Sequence, residues 1–288
     1  MTALPGFLAD DLPPRRADDA RYHLIPVPLE ASVSYGHGTS GGPQALLAAS
    51  SQLEVFDGSG EPGAAGIHVQ QAVPCAERSV RVVLDEVASR VTTARNHGAL
   101  PILLGGEHTV TLGAIEALHA AGVDCGLVQI DAHADLRDRY QDDPLSHACI
   151  MRRCHDLGLP LAQFAVRALS REEHDYRQAH RATIRHHDAE VLHHQGIPAD
   201  PLGPDFPDAI YLSIDVDGLD PSLMAATGTP VPGGLGWYEC CTLIERILHR
   251  RRLVGADLVE LAPAPGLPHC DFTAALLLYR VMGWEQGA

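Results

Sequence analysis

Short, continuously apolar runs alternate along this chain with longer stretches in which apolar residues recur every three or four positions. Residues 22–27, 101–104, 126–130, 209–214 and 253–259 are runs of the first kind. Each is bounded by polar or glycine-rich residues, the pattern of strands buried on both faces. Residues 43–53, 76–97, 110–121, 147–157, 171–180, 237–251 and 272–282 show the helical period and are expected to be helices. Strand, helix, strand repetition predicts an α/β fold, a three-layer α/β/α arrangement around a central parallel sheet. Residues 202–208, rich in Pro and Asp, read as a loop before a strand. No repeat or linker interrupts the pattern, so residues 21–288 are expected to form one domain. Residues 1–20 are expected to be a flexible N-terminal arm, since Asp10, Asp11, Pro13 and Pro14 crowd it.

Composition narrows the class. With 45% hydrophobic residues over 288 positions the chain can bury a large core, and no apolar run approaches the roughly 20 residues that span a bilayer. The start lacks the basic, apolar and small-residue order of a secretory signal, so a cytoplasmic, membrane-free protein is expected. Seven cysteines, two of them the adjacent Cys240 and Cys241, have no framework spacing, which argues for a reducing compartment. A net charge of −16 argues against a nucleic-acid partner, which needs basic stripes. The same charge suits a cationic substrate and serves solubility equally well.

Six residues of metal-ligand type sit in three blocks at or just past predicted strand ends: His108 in GGEH, Asp131, His133 and Asp135 in DAHAD, and Asp215 and Asp217 in SIDVDGLDP. In extended backbone, residues two apart point to one side, so Asp131, His133 and Asp135 can converge, as can Asp215 and Asp217. Open α/β sheets place ligands at these carboxyl ends. Singly, each block reads as an ordinary cap or Asx turn; together they describe a cage for two cations.

The order GGEH, DAHAD, SIDVDGLDP, followed by Gly228-Thr229-Pro230 and Gly233-Gly234, resembles the arginase and agmatinase family of ureohydrolases, and the likeness extends from Ile25-Pro26-Val27-Pro28 to Thr273. It implies an arginase-like sheet of about eight strands and two Mn(II) ions per subunit. One ion would be held by His108, Asp131, Asp135 and Asp215, the other by Asp131, His133, Asp215 and Asp217. It also implies a guanidinium-binding Glu260 and a proton-shuttling His147, with Asp135 relaying a proton, and a homo-oligomer, trimer or hexamer. Two departures are Glu107 where the family commonly has Asp, and Ala225-Ala226 where it usually has Pro-Gly.

A carboxylate-rich, imidazole-containing set suits Mn(II) better than Zn(II), and a two-metal centre supplies hydroxide at neutral pH. Four aspartates, two divalent cations and one hydroxide sum to one negative charge, matching a guanidinium. Residues 136–147 lack the Asn pattern by which arginases grip an amino acid, and Ser146-His147-Ala148 with Met151-Arg152-Arg153 looks like agmatinases. A small cationic guanidine, agmatine first, is the expected substrate; guanidinobutyrate or aminopropylagmatine is the alternative, and a non-catalytic metal-binding member a remoter one. Asp138, Asp142 and Asp143 are candidates to face a distal ammonium, Arg137 and Arg139 to face a carboxylate, and the glycine-containing segment 35–40 to line the pocket. Arg167, Glu172 and Glu173 resemble a family segment that stabilises subunit contacts. His186, His187, His193 and His194 read as a polar surface stretch, Cys149 and Cys154 as packed thiols.

Overall fold

The computed structural model describes residues 4–287. Its centre is one eight-stranded, all-parallel sheet: β1 (Tyr22–Val27), β2 (Ile67–Val69), β3 (Leu100–Gly105), β4 (Gly126–Ile130), β5 (Leu161–Phe164), β6 (Ile184–His187), β7 (Ala209–Asp215) and β8 (Arg252–Val259), in the order β2-β1-β3-β8-β7-β4-β5-β6. Eight α-helices join them: α1 (Gly42–Ser50), α2 (Val80–Asn96), α3 (Val110–Ala120), α4 (Ile150–Asp156), α5 (Arg171–Ala179), α6 (Ala189–Gln195), α7 (Trp237–Leu248) and α8 (Pro268–Gln286). Strand side chains alternate between two cores. Leu24, Ile102, Leu104, Leu212 and Leu258 pack with α1, α7 and α8, while Ile25, Leu103, Leu127 and Tyr211 pack with α2, α3 and α4.

The five expected strands form within a residue of their expected bounds, and all seven expected helices form, but only α3 and α5 keep their expected bounds within a residue; the other five differ by three or four residues at one end or both. Expected helix 147–157 begins with a 3-10 turn at His147–Cys149, and expected helix 237–251 stops at Leu248. Three strands and one helix were not anticipated. Strands β2, β5 and β6 have only three or four residues, too short for a periodic signal. His186 and His187 belong to edge strand β6, and His187 stacks on Phe164 with ring centroids 5.4 Å apart. His193 and His194 lie on α6.

Of the flexible arm expected over residues 1–20, residues 1–3 lie outside the described residues, and the remainder is anchored to the core. Phe7 and Leu8 are buried in the core beside α1 and α8, and the Leu8 amide donates to Ser50 Oγ at 3.0 Å. Phe7 and Leu8 tie the segment down, with Leu4 and Leu12 packed against the same core, although prolines, aspartates and arginines surround them. Among the described residues all seven cysteines are free, and no helix is long and apolar enough to cross a membrane.

Candidate metal centre and guanidine pocket

The four central strands deliver the site. His108 follows β3, Asp131 follows β4, Asp215 ends β7 and Glu260 follows β8; β3, β8, β7 and β4 are consecutive neighbours, so four separate sequence segments meet at one sheet edge. Two turns are built for closeness. A Cβ on Gly106 would lie 2.0 Å from the Leu29 carbonyl oxygen, so only glycine lets residues 27–32 fold over the GGEH turn. A Cβ on Gly36 would meet the Gly228 backbone at 2.8 Å.

All six expected ligand residues come together. Donor atoms of His108, Asp131 and Asp215 form one group, and those of Asp131, His133 and Asp217 form a second, every atom within 4.8 Å of the others in its group. Asp131 belongs to both. Asp135 Oδ2 is 3.1 Å from His108 Nδ1. Asp135 and Glu260 adopt φ of 52° and 64°, a left-handed conformation that costs a non-glycine residue energy.

The chemistry of the donor set fits a cation. His108 Nε2 sits 2.8 Å from Ser213 Oγ, whose hydroxyl donates to Asp257 Oδ1 at 2.7 Å. Ser213 therefore accepts from Nε2–H, and Nδ1 is left facing Asp131 and Asp135 at 3.1 Å and Asp215 at 3.4 Å. Buried Nδ1 makes no well-directed hydrogen bond with any of them. An imidazole lone pair aimed at three carboxylates is repulsive unless a cation or a proton lies between. Without metal, protons fill that role. Burial opposes an imidazolium at His108 and His133, yet the carboxylates outweigh it, holding His108 well above its ordinary pKa and pushing His133 up to about 12. Burial and the Asp131 charge raise Asp135 to about 7. Burial, then Asp217 and Asp131, raises Asp215 well above the usual range, and burial does the same for Glu260.

Sequence reasoning missed the layer beneath. Gln163, Gln129, Ser213 and Asp257 lie side by side in register across β5, β4, β7 and β8, all fully buried. Arg177, which can only donate, gives its Nε–H to Gln163 Oε1 at 2.8 Å. Gln163 in turn donates to Gln129 Oε1, and Gln129 Nε2 donates to Asp131 Oδ2 at 2.6 Å. The signal was one polar residue inside each of the expected runs of β4, β7 and β8; Gln163 on the short β5 had none.

Above the donors opens a cavity of about 420 Å³ lined by His133, Asp135, Asp215, Glu260 and His147, then by Ser34, Thr229, Arg137, Tyr140, Leu169, Ser170 and Glu173. Glu260 Oε1 accepts the His108 amide at 2.7 Å, fixing the carboxylate at the cavity wall. Burial lowers the His147 pKa. The candidate tail contacts are rearranged relative to expectation. Asp138 pairs with Arg153 at 2.7 Å, and neither Asp142 nor Asp143 lines the cavity. Tyr35 is exposed, His37 pairs with Glu30, and no residue of the expected segment 35–40 lines the cavity, although the preceding Ser34 does. Glu173 is buried and accepts the Leu136 and Ser170 amides, and Arg167 donates to the carbonyls of Ala165, Asp217, Leu219 and Val231. Both residues thus hold loops around the site within the chain.

Comparison with known proteins agrees with this geometry. The model of the arginase family matches residues 20–283. The chain is 35% identical over 282 residues to an N(1)-aminopropylagmatine ureohydrolase of Synechocystis, covering 92% of this chain and 89% of that protein. It is 33% identical over 281 residues to an agmatinase of Pyrococcus horikoshii, covering 95% of each. Among solved structures, the agmatine ureohydrolase of Thermoplasma volcanium superposes with a TM-score of 0.86 at 29% identity, over 99% of this chain and 96% of that one. The chain belongs to the arginase family and is a ureohydrolase, a hydrolase acting on guanidino compounds.

Proposed function

We propose that the chain is a two-manganese enzyme that cleaves a linear, cationic alkylguanidine to urea and an amine. The observation that carries this reading is the pair of donor groups sharing Asp131 in one cavity with Glu260 and His147. His108, Asp131, Asp135 and Asp215 would hold one ion, and Asp131, His133, Asp215 and Asp217 the other. The absence of thiolate donors and the four carboxylates favour Mn(II). When bound, the ions supply hydroxide at neutral pH and offset the buried carboxylates. Glu260 receives the guanidinium and aims its carbon at the donors. Asp135 takes the proton of the attacking oxygen. His147 protonates the departing nitrogen, a role suited to an imidazole whose pKa burial lowers. Urea and the free amine result.

The cavity wall supports a cationic substrate. Asp135, Asp215, Glu260 and Glu173 line it, and its single guanidinium, Arg137, is already 3.9 Å from Glu173 and over the Tyr140 ring at 5.3 Å. A carboxylate tail would have to draw Arg137 away from both. Agmatine is the substrate favoured by the sequence pattern. The 35% identity to a protein named for aminopropylagmatine, against 33% for the one named for agmatine, moves aminopropylagmatine ahead of it. The test is urea release by manganese-loaded protein offered aminopropylagmatine, agmatine, guanidinobutyrate and arginine in parallel. Highest kcat/KM on aminopropylagmatine is expected, with agmatine second. Preference for guanidinobutyrate would overturn the cationic-tail argument, and no urea from any of them would overturn the enzyme reading.

A further inference from the structure

Glu107, the departure from the family's commoner Asp, is fully buried next to a proposed ligand and makes no use of its charge in the chemistry above. Its carboxylate faces the segment that follows β1. Oε2 accepts the amides of Ala31 and Ser32 at 2.6 and 2.7 Å, and Oε1 accepts the Ser32 hydroxyl at 3.0 Å. The Gly106 and Glu107 amides donate to the Val27 and Leu29 carbonyls, both at 2.8 Å, so the segment is pinned along its length.

Ser32 Oγ has two further neighbours, the His147 amide at 3.0 Å and His147 Nδ1 at 3.1 Å. A hydroxyl has one proton and two lone pairs. A carboxylate only accepts, so the Ser32 proton points at Glu107. The His147 amide only donates, so it occupies one lone pair. The contact that remains joins the second lone pair to Nδ1, and it is bonding only if Nδ1 carries a proton. Nε2 is then the unprotonated atom of the neutral ring, with the Ser34 hydroxyl 3.5 Å away at the cavity.

We infer that Ser32, itself held by Glu107, is a positioning residue that fixes His147 as the Nδ1–H tautomer and leaves Nε2 as its proton-exchanging atom. The hydrogen bond on one imidazole nitrogen decides what the other can do. In this arrangement a proton arrives on Nε2, making imidazolium, and leaves from Nε2 to the departing amine nitrogen. Nδ1 keeps its proton on Ser32 throughout, so the ring returns to its starting state. The opposite tautomer presents Nε2–H to the cavity and cannot take up a proton there.

The consequence for turnover rests on the ureohydrolase reading, but the tautomer does not, and the two are separable by experiment. The full-length chain labelled with 15N-histidine is measured without added metal at pH 8 by long-range proton–nitrogen correlation, with His147→Gln identifying the resonances. Wild type is expected as Nδ1–H. Ser32→Ala is expected to lose that state to Nε2–H or a mixture, and Ser32→Thr, which keeps the hydroxyl, to retain it; thermal melts report whether each variant folds. In the manganese-loaded enzyme, Ser32→Ala is expected to lower kcat about tenfold or more with KM within about twofold, because a positioned acid–base group contributes about 10²–10⁴ in rate, and Ser32→Thr to restore it. A wild-type ring protonated on Nε2, or an unchanged tautomer in folded Ser32→Ala, would overturn the inference. Nδ1–H in wild type with no hydrolysis of any guanidine would sustain the positioning role and remove the enzyme reading.

Discussion

Ser213→Ala tests whether the buried polar row beneath the donors controls metal binding. The change removes one oxygen. That oxygen accepts the His108 Nε2 proton at 2.8 Å and donates to Asp257 at 2.7 Å, and it is fully buried. Truncation leaves an imidazole N–H without a partner, which costs about 1–3 kcal/mol, while Asp257 keeps the Thr111 hydroxyl at 2.8 Å. The lost bond is also what directs Nδ1 at the carboxylates. Partners of metal-binding histidines are typically worth about 10–100-fold in affinity, or about 1.4–2.7 kcal/mol. Titration of Mn(II) against a fluorescent chelator should therefore show one of two dissociation constants raised 10–100-fold, the one whose ligands include His108. Thr111→Ala is the control. It removes the other Asp257 hydrogen bond without touching His108, so it should lower the melting temperature and leave both constants within about twofold. Unchanged manganese affinity in a folded Ser213→Ala protein would refute the argument that this hydroxyl sets the tautomer of His108.

Glu260→Gln keeps the size of the side chain and an acceptor for the His108 amide but removes the charge that would meet a guanidinium. Steady-state kinetics should show kcat/KM reduced by roughly 10²-fold or more, since an unpaired buried charge costs about 3–5 kcal/mol; an effect below fivefold would move the guanidinium elsewhere. The raised pKa of His133, about 12 against an ordinary 6.5, means that the metal-free fold binds a proton there that the unfolded chain releases above 6.5. This stabilisation is full below pH 6.5 and is lost as pH rises through about 12. Metal requires neutral imidazoles and ionised carboxylates, so at pH 7 uptake of two ions should expel protons from His108 and His133 and also from Asp215 and Asp135, whose pKa values burial raises, and apparent affinity should tighten as pH rises. Calorimetry in buffers of different ionisation enthalpy measures this, and no proton release would contradict it. Leu8→Ala should destabilise the protein by about 2–5 kcal/mol in urea unfolding, because Leu8 is fully buried; a loss under about 1 kcal/mol would mean that the N-terminal segment is not part of the core.

The parts of this protein that could be read from sequence are those whose meaning is local. Strands β1, β3, β4, β7 and β8 are runs of apolar residues long enough to register, and the ligand types stand within five residues of their carboxyl ends, so strand, end and donor identity occur in one window. Strands β2, β5 and β6 failed that test because a parallel sheet lets a three- or four-residue segment add to strands already paired, β2 to β1, β5 to β4 and β6 to β5, and gain its stability from tertiary contact. Leu8 was hidden by the prolines and aspartates around it. The polar row had a visible mark in three of its strands, Gln129, Ser213 and Asp257 inside the apolar runs of β4, β7 and β8, but its meaning depends on register. Only pairing of Gln129 with both Gln163 and Ser213, and of Ser213 with Asp257, makes one layer of four. Ser32 carries no local signal at all. Its partners lie 75 and 115 residues away, and the approach exists because Gly106 lacks the Cβ that would strike Leu29. Donor identity could thus be read from three short motifs, whereas the groups that set proton positions on those donors and on His147 follow from strand order and one close backbone crossing.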